Sequence, residues 1–210
     1  MINTRYQIIE RIIRNVYGEQ PTDDSNITVN LVNKWLEDGI ATAVKLNYKD
    51  AIQVDGIGYV NNSFYLTFKG ITFSQDDQFT YVATLPQIPL GIGKNEGISS
   101  LRFRDASGKI SIDAIPLSEN QWTYVKQMPP IKNSILYKPE GSFVYALSEL
   151  ILSIGFTANV TMISSGDDTN LNSVLNVPQD YISIIIDYCS ERLSKSRQEP
   201  KDLADDGADN

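Results

Sequence analysis

Two periodicities divide the chain. Over residues 4–17, Ile8, Ile9, Ile12, Ile13 and Val16 recur at helical spacing, with Arg11 and Arg14 on the other side. Gly18 follows as a C-cap candidate, and the stretch 18–25 (Gly-Glu-Gln-Pro-Thr-Asp-Asp-Ser) reads as a turn. Asp24 or Ser25 can cap a second helix over 26–47. Its stripe is Val29, Val32, Leu36, Ile40 and Ala43, with Trp35 and Val44 beside it. Gly39 is a weak point in that helix, costing about 1 kcal/mol relative to Ala. A connection this short favours an antiparallel helical hairpin.

From about residue 52 the period changes to two. Phe64, Leu66 and Phe68 alternate with Tyr65, Thr67 and Lys69 inside a strand over 63–73, and 53–60 is a candidate partner strand. Further strands are expected at 79–85, 101–104 and 109–114, the last two joined by the hairpin turn Asp105-Ala106-Ser107-Gly108. Residues 116–126 suit a short helix capped by Ser118. Strands at 134–138 and 142–146 flank Pro139-Glu140-Gly141, and a long run over 150–163 closes the region, with Gly155 marking a bulge or a close backbone approach. Residues 171–175 fit a helical turn.

Helical spacing returns at 178–197. Ile182, Ile185, Ile186, Cys189 and Leu193 form the main stripe, and Tyr181, Ile184 and Tyr188 a second apolar face. A helix with two apolar faces needs two surfaces to bury against. Residues 199–210 then place five acids against Lys201 alone, a charge of −4 and half of the chain's −8. Such a tail is expected to be disordered in isolation. The pattern predicts an α+β fold in which terminal helices form a bundle around an inserted antiparallel β-rich region. The expected parts are a helical hairpin (1–50), the β-rich region (51–165), a helix completing the bundle (166–198) and the acidic tail (199–210). Ile12, Val32, Leu36 and Ile185 are expected in the helical core.

Composition narrows the chemistry. The chain has no histidine and one cysteine among 210 residues. That removes Ser-His-Asp and Cys-His catalysis, His-ligated metals and multi-Cys zinc sites. No catalytic residue, cofactor-binding residue or metal ligand is assigned, and the chain is expected not to be an enzyme. Gly91-Ile-Gly93-Lys94 lacks the spacing and the following helix of a phosphate loop. Asp76-Asp77 and Asp167-Asp168 lack EF-hand spacing and read as solvated turns. Cys189, on an apolar stripe, reads as a buried structural thiol. No apolar run approaches the roughly 20 residues that span a bilayer, and the N-terminus has no signal-peptide pattern, so no membrane partner is expected.

Three stretches resemble tail-adaptor proteins of short-tailed phages. They are the first helix with the turn 18–25, the loop Leu85-Pro86-Gln87-Ile88-Pro89-Leu90-Gly91-Ile92-Gly93, and the ending 178–193 with Gln198-Glu199-Pro200-Lys201-Asp202-Leu203. With its Ile-, Asn- and Tyr-rich composition, the chain resembles the ring or head-to-tail connector proteins of crAss-like phage virions. The resemblance implies a dodecameric ring between portal and tail. Such a ring would extend the DNA channel, which DNA passes without specific binding, and dock further tail proteins. It would be made in the host cytoplasm. Residues 4–47 and 178–197 would form the helical hub and the β region its decoration. Tyr181, Ile184 and Tyr188 are then the candidate inter-subunit contact, and Leu90, Ile92, Lys201 and Leu203 the candidate docking loop and tail. An acidic chain suits a channel without phosphate affinity. Two other classes remain open: a β-rich module binding carbohydrate or peptide, and a carboxylate-dependent hydrolase with two carboxyl groups about 5 to 9.5 Å apart.

Overall fold

The computed structural model describes residues 4–18, 29–92, 97–164 and 170–198. In chain order the elements are α1 (Arg5–Tyr17), α2 (Val29–Asp55), a 3-10 turn (Asn62–Phe64), β1 (Tyr65–Ile71), β2 (Ser74–Gln75), β3 (Thr80–Thr84), β4 (Ile98–Asp105), β5 (Ser111–Asp113), β6 (Ile115–Pro116), α3 (Glu119–Val125), β7 (Leu136–Glu140), β8 (Phe143–Leu147), β9 (Phe156–Ile163) and α4 (Gln179–Gln198). The fold is α+β. The chain divides into two compact units, Met1–Asn61 with Ser165–Asn210, and Asn62–Ser164.

In the first unit α4 packs on both α1 and α2. Ile8, Ile12, Val32, Leu36, Ala43, Ile185, Cys189 and Leu193 are fully buried. Burial of this kind stabilises by roughly 25 cal/mol per Å² of apolar surface. Thr4 caps α1: its Oγ1 accepts from Gln7 N at 3.3 Å, while Gln7 Oε1 accepts from Thr4 N at 3.1 Å. The next free donors of that first turn, Arg5 N and Tyr6 N, reach the Ser173 and Leu171 carbonyls. Gly18, at φ 79°, ends α1 by donating to the Arg14 carbonyl at 2.9 Å. The candidate caps Asp24 and Ser25 lie outside the described residues.

The second unit holds two sheets with strand orders β1-β9-β4-β5 and β2-β3-β8-β7-β6. All pairings are antiparallel except β6 with β7. Alternate residues face inwards: Leu101 and Phe103, Ala158, Val160 and Met162 from one sheet join Tyr81, Ala83, Val144 and Ala146 from the other in one core. Phe73 and Phe103 meet there with ring centroids 4.9 Å apart. α3 covers a smaller cluster, Trp122 against Leu136 and Leu147. The chain changes sheet four times, between β1 and β2, β3 and β4, β5 and β6, and β8 and β9.

Four expectations are corrected. Residues 53–60 are not a strand; α2 runs on to Asp55, since nothing breaks it before Gly56, whose φ of 71° and N–H bond to the Ile52 carbonyl close it. The strand expected over 63–73 divides at Thr72 and Phe73, after a bulge between Phe68 and Ile71. The run 150–163 contributes only β9; Gly155, at φ 75°, lies in the turn before it rather than in a bulge. Residues 171–175 form turns, with Val174 bridged to Thr4, and not a helix.

Candidate functional site

Gly39 sets how α4 lies on α2. A Cβ there would stand 3.2 Å from Ile185 Cγ2, 3.3 Å from Cys189 Sγ and 3.4 Å from Tyr188 Cδ1. The residue that weakens α2 on propensity is the one that lets the two helices approach. Around this crossing Cys189 is fully buried, and burial pushes its thiol up to about 12. A thiol held protonated is a poor nucleophile.

The second face of α4 is half-buried at Tyr181, Ile184 and Tyr188. Two of the three are engaged within their own unit. The Tyr181 hydroxyl accepts from Asn47 Nδ2 at 2.9 Å and donates to Asp50 Oδ2 at 3.2 Å. Asn47 Oδ1 in turn accepts from Asn61 N at 2.9 Å, so α4, α2 and the chain after α2 are joined at one point. The Tyr188 ring lies under the Arg192 guanidinium, 4.9 Å from its centroid, and Arg192 Nη1 donates to Asp38 Oδ2 at 2.6 Å. Ile184 supplies the remaining apolar surface of this face. No sequence signal pairs Tyr181 with Asn47 and Asp50, which lie more than a hundred residues away.

The loop after β3 is pinned at its base. Leu90 N donates to the Ile163 carbonyl at 3.0 Å, and Ile163 N donates to the Gly97 carbonyl at 2.8 Å. Gly97, at φ 77°, abuts the Leu90 backbone so closely that a Cβ would collide with it. Ser164 and Gln87 are hydrogen-bonded beside this base. Leu90 is half-buried and Ile92 buried, while Ile88, not singled out in the sequence, is 65% exposed. Lys201 and Leu203 lie outside the described residues.

Among the described residues of the helical unit, the most exposed apolar segment is elsewhere. Val54 is 82% and Ile57 68% exposed, with Ile52 and Tyr59 exposed beside them. Tyr59 donates to Asp55 Oδ2 at 2.6 Å, folding the segment against the end of α2 and raising the tyrosine's pKa. The strand-like pattern over 53–60 conceals this segment, because a strand would have turned Val54 into a core.

Among the described residues, no group of three or more acids or cysteines is placed to hold a metal ion. The β unit carries an open groove of about 610 Å³, lined by Gly70, Thr72, Phe73, Ser74, Thr84 and Phe143 among others, without a titratable side chain. No described helix is long and apolar enough to cross a membrane. No protein-family model and no curated protein matches the chain.

Proposed function

We propose that the chain is a structural subunit of a virion ring, assembled as a dodecamer between the portal and the tail of a short-tailed phage, where it extends the DNA channel and docks further tail proteins. The observation that carries the associative part is the exposed segment at Ile52, Val54, Ile57 and Tyr59, beside a helical core that is already closed. Apolar side chains left in water favour association. The Ile184 face of α4 supplies further half-buried apolar surface. A head-to-tail contact between the two in neighbouring copies closes as a ring where its rotation closes, and runs on as a filament where it does not. The ring's place in a phage tail is supported by the sequence resemblance at 18–25, 85–93 and 178–203. The net charge of −8 supports a wall along which DNA slides without phosphate contacts.

Native mass measurement and electron microscopy of assembled particles test the proposal. Twelve copies next to the portal or another ring support it; a monomer found in no particle ends it. Val54→Asp with Ile57→Asp should leave the subunit folded and remove it from the ring. One observation favours a second reading: the groove between β1–β2 and β3, with Phe143 at its wall, suits an extended peptide or a sugar. Saturable binding of such a ligand to a chain that never assembles would favour that module.

A further inference from the structure

α2 presents a basic line to solvent in a chain of net charge −8. Lys34, Lys45 and Lys49 are exposed and lie within about 60° of one another round the helix. None of the three forms an ion pair among the described residues. Asp38 is the acid that shares this side, and its carboxylate is already held by Arg192 at 2.6 Å. Exposed Leu31 and Ile52 mark the two ends of the line.

α4 presents the opposite charge. Asp180, Asp187 and Glu191 are exposed and lie within about 40° of one another round α4, with half-buried Ile184 beside them. Asp180 and Asp187 form no ion pair among the described residues. Glu191 meets Lys195 one turn on, at 2.6 Å, an exposed pair that contributes little. Both lines face away from the crossing of the two helices. Gly39, where Ile185 and Cys189 pack, lies about 110° round α2 from the middle of the lysine line. Ile185 and Cys189 themselves lie about 140° and about 180° round α4 from the middle of the acidic line. The two lines therefore occupy different faces of the helical unit and cannot meet within one chain.

We infer that the lysine line of α2 docks on the acidic line of α4 in a second copy of this chain. The lines match in spacing as well as in sign: Lys45 and Lys49 stand about one turn apart, as do Asp187 and Glu191. Each line also carries an apolar side chain, Ile52 at the end of one and Ile184 beside the other. Each copy offers one line of each sign on different faces, so the contact is heterologous and leaves a face free for the next copy. A two-fold contact of either line with itself would set like charges against each other. The net charge of −8 repels at longer range, so the lines decide which faces meet more than how tightly they hold. The inference deepens the ring reading and rests on its head-to-tail contact.

The test follows self-association of the full chain by sedimentation over rising concentration. Lys45→Glu with Lys49→Glu, and separately Asp187→Lys with Glu191→Lys, should each weaken it about tenfold. The second change makes the chain less acidic, so long-range repulsion alone would strengthen association instead. A chain carrying all four changes keeps the net charge of −8 and should regain association. An equal mixture of the two partly reversed chains should also associate, since each offers the face that the other lacks. Far-ultraviolet spectra equal to the parent's show that these exposed substitutions leave the fold intact. Four outcomes overturn the inference. One is a parent chain that stays monomeric at every concentration. Another is association unchanged by either partial reversal. The third is a four-change chain, folded as the parent, that does not regain association. The fourth is duplex DNA bound by the parent and released by Lys45→Glu with Lys49→Glu while self-association persists, which makes phosphate the occupant. None of these removes the ring reading, which falls only if the parent is found in no particle.

Discussion

The helical unit and the β unit close their cores by different routes. In the helical unit three helices from opposite ends of the chain converge, and α4 touches both others. The crossing of α2 and α4 is tight at one position, Gly39, where a single methyl group would press on three side chains. In the β unit fifteen buried apolar residues, from the strands of both sheets and the segments that join them, share one cluster. A helix crossing concentrates its steric demand where two cylinders approach. A sandwich spreads it over alternating positions of many strands. The helix crossing should be sensitive to added volume at Gly39, the sandwich core to removed volume at many positions.

The largest expected effect separates the units directly. Phe103→Ala removes a fully buried ring that packs on Phe73, and should cost about 3–5 kcal/mol. Ile185→Ala, equally buried in the helical unit, should cost about 2–5 kcal/mol. Hydrogen exchange read residue by residue should show each loss confined to its own unit. Protection lost in both units from either change would mean that they unfold as one, and the comparison would fail.

Added volume gives the next effect. Gly39→Leu should cost about 1–3 kcal/mol through crowding of Ile185 and Cys189. The same enlargement at exposed Gly91, where a Cβ meets nothing within 4 Å, should change little. Equal losses at the two sites in urea titration would show that the α2–α4 crossing is not the tight point.

How much of this the sequence foretold depends on the range of each interaction. Helical spacing put Ile12, Val32, Leu36 and Ile185 in the core, and all four are fully buried. Turn chemistry placed the 105–108 hairpin and the Ser118-capped helix, where Gln121 Oε1 accepts from Ser118 N at 2.9 Å. The end of α2 reads as a strand because Ile52, Gln53, Val54 and Asp55 alternate, and local pattern cannot tell such a segment from a frayed amphipathic helix. Buried Arg5, whose Nε donates to Asn33 Oδ1 at 3.0 Å, left no local signal. Of the candidate contact residues, the second face of α4 was legible as a pattern. What Tyr181 and Tyr188 touch was not, because the groups that hold them in place come in part from another helix.

Alkali should reach the two units through different groups. Burial pushes Cys189 up to about 12 from an ordinary value of 9.0, and Tyr137, in the β unit, up to about 12 from 10.0. In both cases the unfolded chain releases its proton first. Stability is therefore intact below the unfolded value and falls as pH rises towards the folded one, by at most about 1.4 kcal/mol per pH unit for each group. The helical unit should begin to lose stability near pH 9, and the β unit about one unit higher. Cys189→Ala should abolish the earlier onset and leave the later one. An unchanged onset in that variant would remove Cys189 from the account.

The smallest effect tests whether α4 is held by packing alone or by its polar joint as well. Tyr181→Phe keeps the ring and deletes the hydroxyl that accepts from Asn47 and donates to Asp50. Asn47 keeps its bond from Asn61 N, so only part of the joint is lost. A net loss of about 1 kcal/mol is expected, since a half-buried hydrogen bond exchanges largely with water. The loss should appear as faster exchange of amides in the first turn of α4, with the amides around Cys189 unaffected. A Tyr181→Phe chain as stable as the parent would show that the α2–α4 crossing at Gly39 suffices to hold the helix. The hydroxyl's bonds to Asn47 and Asp50 would then contribute nothing net, and the ring alone would carry the stabilisation at position 181.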